Sequence, residues 1–243
     1  MFANNGNECF INCVLSSLMF CPFMANHYFL TPQTGLWADA YGEAWGKTKG
    51  LRELKKKVRT GPGVLSRQGQ QDAHEAYLEI VDLLPEELKD MLVGQCGVSV
   101  ECDSCGHVTQ PGTHPYKSLL FPREQVVESI PDYTCENCGA TGYCQRKETL
   151  TEPPVRVYHI HRSLGDGRKD SKPKNYPVKD LFAVVRHWGK SMGSGHYTAT
   201  ARYHDKWFDL DDDLMTPTQE PRPDGTEYML FYRFCSTKAI IAE

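Results

Sequence analysis

Two CxxC pairs, Cys102-x-x-Cys105 and Cys135-x-x-Cys138, constrain this chain more than any other feature. Each pair is followed at once by glycine ("CDSCGH" and "CENCGA"), which lets the backbone turn back around a bound ion. Four thiolates at this spacing suit tetrahedral zinc, and a closed shell of four cysteines leaves no position open for catalysis. The spacing predicts one structural zinc per chain, with His107 and Cys144 as substitutes if one assigned ligand fails. The competing reading is two unrelated thiol pairs. Of ten cysteines, the other six (Cys9, Cys13, Cys21, Cys96, Cys144 and Cys235) follow no disulfide framework. The cysteine usage therefore fits metal binding in a reducing compartment, cytoplasmic or nuclear.

The texture of the chain changes near residue 97. Residues 9 to 94 read as mainly helical, with "LRELKKKV" (51–58) and "QQDAHEAYLEIVDLL" (70–84) as helices. Beyond 97, short alternating runs are separated by Gly and Pro. Strands are expected at 153–162, 180–188, 196–203, 206–210 and 227–234, and a polar loop at 164–177. Helices at one end and strands at the other predict an α+β fold. The 243 residues suffice for one large domain or two small ones. A net charge of -4 argues against nucleic acid as a partner. No run of 18 apolar residues and no leader pattern is present, so neither a membrane partner nor export is expected. The opening is abrupt before Cys9, as in an excised domain.

"NNGNECFINCVLSSL" (4–18) places Cys9 just after a turn-forming run and at the start of a helix. Phe10, Ile11, Val14, Leu15, Leu18 and Met19 form one apolar stripe, and Pro22 is expected to stop the helix. Free N–H groups and the positive dipole end gather at such a position, which lowers a thiol pKa. Cys9 could be a buried structural thiol, a metal ligand or a nucleophile. Cys13, one turn on, fits a buried thiol.

A cysteine nucleophile needs a base, and the base needs a group that fixes its tautomer. Among nine histidines, His196 has the suitable setting, "GSGHYTATARYHDKWFDLDDD". If 196–203 and 206–210 form a hairpin, the start of the first strand meets the end of the second. Asp211 or Asp212 would then lie beside His196. The alternative is a solvated acidic turn. A second acidic row, Asp72, Glu75, Glu79 and Asp82, is either a solvated helix face or a dock for arginines of a partner.

Taken together, these segments resemble the ubiquitin-specific protease family of deubiquitinases. "NNGNECFINCVLSSL" resembles its cysteine box, "QQDAHEAYLEIVDLL" its glutamine-aspartate box, and "LFAVVRHWGKSMGSGHYTATARYHDKWFDLDDD" its histidine box. The two knuckles, "PPVRVYHIHR" and "EYMLFYRF" complete the order. The resemblance implies a single papain-like catalytic domain with a helical thumb (about 1–94), zinc-bearing β fingers (about 95–152) and a β-sheet palm (about 153–243). It implies Cys9 as nucleophile, His196 as general base, Asp211 (or Asp212) as the orienting carboxylate, and Asn4 as an oxyanion donor. Asp72 and Glu75 match acidic residues that hold ubiquitin's arginine-rich tail. Tyr197 matches a residue lining the tail channel, and 187–195 a loop over the cleft.

The implied activity is hydrolysis of the (iso)peptide bond after ubiquitin's terminal glycine through a thioester. Glu8 stands where the family usually has a threonine, and its charge is expected to oppose thiolate formation. The short stretch from 162 to 181 also departs from the pattern. These departures leave a ubiquitin-like modifier as an alternative substrate. A papain-like protease acting on Gly-Gly-like polyprotein sites, or a catalytically silent ubiquitin-binding zinc module, are the other readings.

Overall fold

The structure, a computed structural model, describes residues 2–4, 6–30, 34–44, 49–61, 71–123, 127–166 and 168–234. Asn5, Gln70 and Cys235, which entered the sequence reading, lie outside the described residues. The first helix, α1 (Cys9–Met19), sits at the centre of the fold, and all eleven of its residues are buried. That corrects the one-sided stripe expected from sequence. The donors on its other face find internal acceptors: Ser17 Oγ donates to the Cys13 carbonyl at 2.9 Å, and Asn12 Nδ2 donates to Asp212 Oδ1 at 2.7 Å, while Asn12 Oδ1 has no partner among the described residues. Burying those donors therefore costs little. Pro22 does not end α1, which stops at Met19. It opens α2 (Pro22–Leu30), as a first-turn proline can, because its missing N–H would be unbonded anyway.

Around α1 pack α3 (Leu36–Ala44), α4 (Leu51–Thr60), α5 (Ala73–Leu83) and the single turn α6 (Glu86–Lys89). Helix α5 begins later than its apolar pattern suggested, because Asp72 is its N-cap. The Asp72 carboxylate accepts the His74 amide at 2.6 Å. No single helix among the described residues is long and apolar enough to cross a membrane.

Eleven strands form two sheets among the described residues. The first has four antiparallel strands in the order β2-β1-β5-β4: β1 (Gly94–Cys102), β2 (Val108–Tyr116), β4 (Val127–Thr134) and β5 (Thr141–Thr151). Its described residues enter neither hydrophobic core, so hydrogen bonds and its cysteine-bearing turns must hold it. The larger sheet runs β10-β9-β8-β7-β11-β6-β3. It comprises β3 (Leu119–Leu120), β6 (Val155–His159), β7 (Leu181–Ser191), β8 (Ser194–Tyr203), β9 (Lys206–Asp211), β10 (Leu214–Thr218) and β11 (Glu227–Arg233).

Strand β7 is buried from Leu181 through His187, which explains its unbroken apolar run. On one face lie α1 and α5. On the other lies a second core of Ile160, Tyr176, Leu181, Val184, Trp207 and Leu230. Strand β10 escaped the sequence reading because it is an exposed edge that buries nothing and carries Pro217.

The expected loop over 187–195 is instead mostly strand, a hairpin turning between β7 and β8. Gly189 and Gly195 make it possible. A Cβ on Gly189 would meet the Ser194 carbonyl, and Gly195 holds a φ of +154. Among its described residues the 164–177 segment carries only isolated bridges, and it is anchored from within. Buried Arg162 donates to the Glu227 side chain (2.8 Å) and to the Asp170 (3.1 Å) and Lys172 (2.7 Å) carbonyls.

Candidate active site

Helix α1 packs its N-terminal end against β8 and β9, and this junction gathers most of the residues singled out from sequence. Cys9 is 4 % exposed, with its thiol against the Tyr197 backbone amide, one residue past His196. The β8–β9 register ends at Ala199↔Leu210, so His196 and Asp211 lie just beyond the paired ends of both strands. Their side chains meet, with His196 Nε2 and Asp211 Oδ1 2.6 Å apart. A carboxylate only accepts, so Nε2 carries the proton and Nδ1 is left as the acceptor.

Asp212 is also near, with a carboxylate oxygen within 4.8 Å of a His196 ring nitrogen, but its hydrogen bonds go elsewhere. Its left-handed backbone (φ 51) directs the carboxylate toward α1 and the chain start. There Oδ2 accepts Asn4 Nδ2 at 2.8 Å and Oδ1 accepts Asn12 Nδ2 at 2.7 Å. Its carbonyl also accepts the Phe2 amide at 3.1 Å. The two neighbouring aspartates thus do different work: Asp211 meets the histidine, and Asp212 ties down the segment that leads into Cys9.

Burial pushes the Cys9 thiol up, and the Asp212 carboxylate adds to the rise. The Tyr197, Phe10 and Cys9 amides pull the other way without prevailing. The depressed thiol expected from the helix-start position is therefore corrected, because desolvation outweighs the amides. Burial thus makes the Cys9 thiol harder to ionise than a free cysteine. Glu8 also behaves differently from the sequence expectation. Its carboxylate is paired with Lys55 Nζ at 3.0 Å and lies 3.7 Å from Arg59 Nε, so its charge is balanced by α4.

Asn4 Oδ1 accepts the Gly6 and Glu8 amides at 3.0 and 3.1 Å, folding the entry to α1 around this side chain. Tyr197 is 2 % exposed and packs against His187 and Tyr228. Its hydroxyl faces the Ala73 amide at the start of α5. Asp72, besides capping α5, accepts the Tyr228 hydroxyl. Glu75 lies in the first turn of α5, and Asp82 pairs with Lys117. The row from 72 to 82 is therefore not one uniform solvated face.

Sequence reasoning missed several participants. Lys55 and Arg59 look like ordinary cations on an amphipathic helix, Asn12 looks like a polar break in an apolar stripe, and Tyr228 lies in an ordinary strand. Trp188 is opposite His196 in the sheet register, half-exposed, with its indole N–H on Thr198 Oγ1 at 2.8 Å. Only the i, i+4 spacing of Lys55 and Arg59 signals a shared target.

At the far end of the smaller sheet, Cys102, Cys105, Cys135 and Cys138 converge, all four sulfurs within 4.8 Å of one another. The two turns share one geometry. The Gly106 and Gly139 amides donate to the Cys102 and Cys135 carbonyls, both at 2.8 Å, with glycine φ values of +67 and +70. Cys105 and Cys135 sulfurs are 3.8 Å apart, far longer than a disulfide. That spacing matches the edge of a tetrahedron with metal–sulfur arms of about 2.3 Å, roughly 3.8 Å. The cluster can hold a metal ion. Cys144, paired in register with Cys102, does not belong to it.

A cysteine opening a central helix, set against a histidine–aspartate pair on an antiparallel sheet, defines the papain-like class of cysteine hydrolase folds. The family model described as Ubiquitin carboxyl-terminal hydrolase matches residues 2–232, and the chain belongs to that family. Ubiquitin carboxyl-terminal hydrolase 2 of Gallus gallus is 27% identical over 192 residues, covering 61% of this chain and 53% of that protein. Ubiquitin carboxyl-terminal hydrolase 21 of Bos taurus is 27% identical over 201 residues, covering 65% and 34%. The chain thus spans between a third and about half of the length of these curated relatives. A chain in the solved SAGA DUB module Ubp8/Sgf11/Sus1/Sgf73 bound to monoubiquitin superposes with a TM-score of 0.77 at 18% identity. That match covers 97% of this chain and 69% of the other. The same module bound to ubiquitin aldehyde gives a TM-score of 0.72 at 19% identity.

Proposed function

We propose that this chain is a cysteine deubiquitinase that hydrolyses the (iso)peptide bond after the C-terminal glycine of ubiquitin. The observation that carries the reading is the junction of Cys9 at the start of α1 with the His196–Asp211 pair. Family membership and the ubiquitin-bound neighbours support the substrate class.

The chemistry follows from the geometry. His196 Nδ1 takes the Cys9 proton while Nε2–H stays on Asp211, which steadies the imidazolium that forms. The Cys9 sulfur then attacks the carbonyl of the terminal glycine. The developing oxyanion is met by backbone N–H groups near Cys9 and by the second N–H of Asn4, whose first is held by Asp212. His196 protonates the leaving lysine amine, then draws a proton from water to release the thioester. Because the thiol is held up by burial and by Asp212, the base is needed for the first step.

Glu75 and Asp72 would receive the tail arginines at the start of α5, Asp72 while still capping the helix. Tyr197 would line the channel between them and Cys9 from beneath. The helices, the larger sheet and the smaller sheet would act as thumb, palm and fingers. The ion at the four cysteines is zinc on this reading, since four thiolates in tetrahedral array suit it and leave no open position. It would hold the finger tips together and take no part in the reaction. The nine described cysteines are free of disulfides, which suits a reducing compartment, cytoplasmic or nuclear.

The test is steady-state hydrolysis of ubiquitin carrying a C-terminal fluorophore, beside matched conjugates of ubiquitin-like modifiers. Turnover of the ubiquitin conjugate, absent in Cys9→Ala, is the expected result. Preference for another modifier would reassign the substrate, and no turnover of any conjugate would leave the binding-module reading.

A further inference from the structure

The segment leading into α1 carries the oxyanion donors of the proposed reaction, yet no helix or strand forms among its described residues. Its position must come from elsewhere. Two cations on one face of α4 reach it. Lys55, 4 % exposed, donates through Nζ to the Ala3 carbonyl at 2.8 Å and to Glu8 Oε2 at 3.0 Å. Arg59 donates through Nη2 to the Asn7 carbonyl at 2.9 Å, and its guanidinium lies 5.3 Å from the centre of the Phe10 ring.

Between these anchors Asn4 accepts two amides of the same segment. Gly6 and Asn7 take left-handed backbone conformations with φ of 103 and 52. Glycine takes such a conformation freely, whereas at Asn7 it is held by surrounding contacts, the Arg59 bond to its carbonyl among them. Glu8 is the N-cap position of α1 but makes no side-chain cap bond, so its carboxylate is spent on α4 instead of on its own helix.

We propose that Lys55, Glu8 and Arg59 form a clamp that positions the oxyanion donors, Asn4 and the N–H groups near Cys9. All three are positioning residues that act through the segment they hold. The clamp deepens the deubiquitinase reading and rests on it. Glu8 and the Ala3 carbonyl both receive the buried ammonium and offset its desolvation. Glu8 thereby becomes the partner that lets α4 grip the loop.

The experiment compares kcat and KM on the ubiquitin fluorophore conjugate, with active sites titrated by an electrophilic ubiquitin probe. Lys55→Met keeps the alkyl volume and removes both tethers. It should lower kcat per titrated site roughly tenfold or more and leave KM within about twofold, since oxyanion contacts strengthen only in the transition state. Lys55→Arg should recover activity to within about threefold of the parent by the same reasoning. Arg59→Ala, at a part-exposed position, tests the clamp without a buried change and should also lower kcat more than it raises KM.

A residue that only stabilises the fold would reduce the titrated fraction and leave kcat per site unchanged. That result, for both Lys55→Met and Arg59→Ala in an active parent, overturns the clamp alone. So does Lys55→Arg behaving no better than Lys55→Met. A parent silent on ubiquitin but active on another Gly-Gly conjugate overturns the substrate, and the variants are then compared on that conjugate. A parent silent on every conjugate overturns both.

Discussion

Replacing Asp212 with alanine should weaken the fold and slow turnover while making Cys9 easier to ionise. The carboxylate accepts one hydrogen bond from exposed Asn4 (2.8 Å) and one from Asn12 (2.7 Å), which is 1 % exposed. Without it, Asn12 Nδ2 keeps only the Phe2 carbonyl at 3.3 Å, and Asn12 Oδ1 already lacks a protein partner. A buried donor left short costs about 1–3 kcal/mol, and the exposed bond adds about 1 kcal/mol, giving roughly 2–4 kcal/mol. For a chain of this size that lowers Tm by roughly 5–15 °C, readable by thermal unfolding. The Asp212 charge raises the Cys9 pKa, so its removal should move the pH midpoint of Cys9 alkylation by iodoacetamide downward. Turnover should nevertheless fall, because Asn4 loses its tether. Opposite signs for thiol ionisation and turnover separate this role from the histidine-orienting role proposed for Asp211. An unchanged Tm, or an alkylation midpoint that moves upward, would refute the reasoning.

Other outcomes follow from the same contacts. His187 is fully buried, neither ring nitrogen has a partner among the described residues, and burial followed by the Lys169 charge pulls its pKa down to about 4. The unfolded chain takes that proton near pH 6.5, so the stability linked to neutral His187 is complete above about 6.5 and lost as pH falls toward 4. The loss is about 3 kcal/mol at the acid end. The fall in parent Tm between pH 7.5 and 5 should flatten in His187→Phe, and equal slopes would count against it. Purified protein should hold about one zinc per chain. Cys135→Ser should raise hydrogen exchange in β1, β2, β4 and β5 while sparing α1; metal-free protein with unchanged exchange would remove the structural role. Glu75→Gln should raise KM for a ubiquitin substrate by roughly tenfold, the loss of one charge-assisted pair, and leave a Gly-Gly peptide unaffected. Asp72→Ala should also lower stability, by about 1 kcal/mol, because it removes the helix cap. A loss of peptide cleavage in Glu75→Gln would mean that the carboxylate supports the site itself.

Much of the architecture was legible where one residue pattern meets one physical demand. Alternation and turn residues located five strands of the larger sheet, and the hairpin logic brought His196 to Asp211. The paired CxxC turns converge as their spacing required. What escaped was set by tertiary context. Burial of α1 on every side could not be read from a stripe, since it depends on Asn12 and Ser17 finding partners in other segments or turns. The ionisation of Cys9 was misjudged because the helix start is a local feature, whereas desolvation and the Asp212 charge belong to the assembled site. Glu8 looked like a liability for the same reason: Lys55 and Arg59 are 47 and 51 positions away in sequence, and no periodicity links them to it. Asp72 was assigned to a helix face when its residue type at the boundary favoured a cap.

The most direct test of the central claim is intact-protein mass spectrometry after exposure to ubiquitin bearing a C-terminal electrophile, with peptide mapping of the adduct. A single ubiquitin should attach, on Cys9 alone. The adduct should vanish in Cys9→Ala and form much more slowly in His196→Ala, while Cys13 and Cys21 stay unmodified within the buried core. Attachment to a cysteine other than Cys9, or equal labelling of parent and Cys9→Ala, would contradict the account.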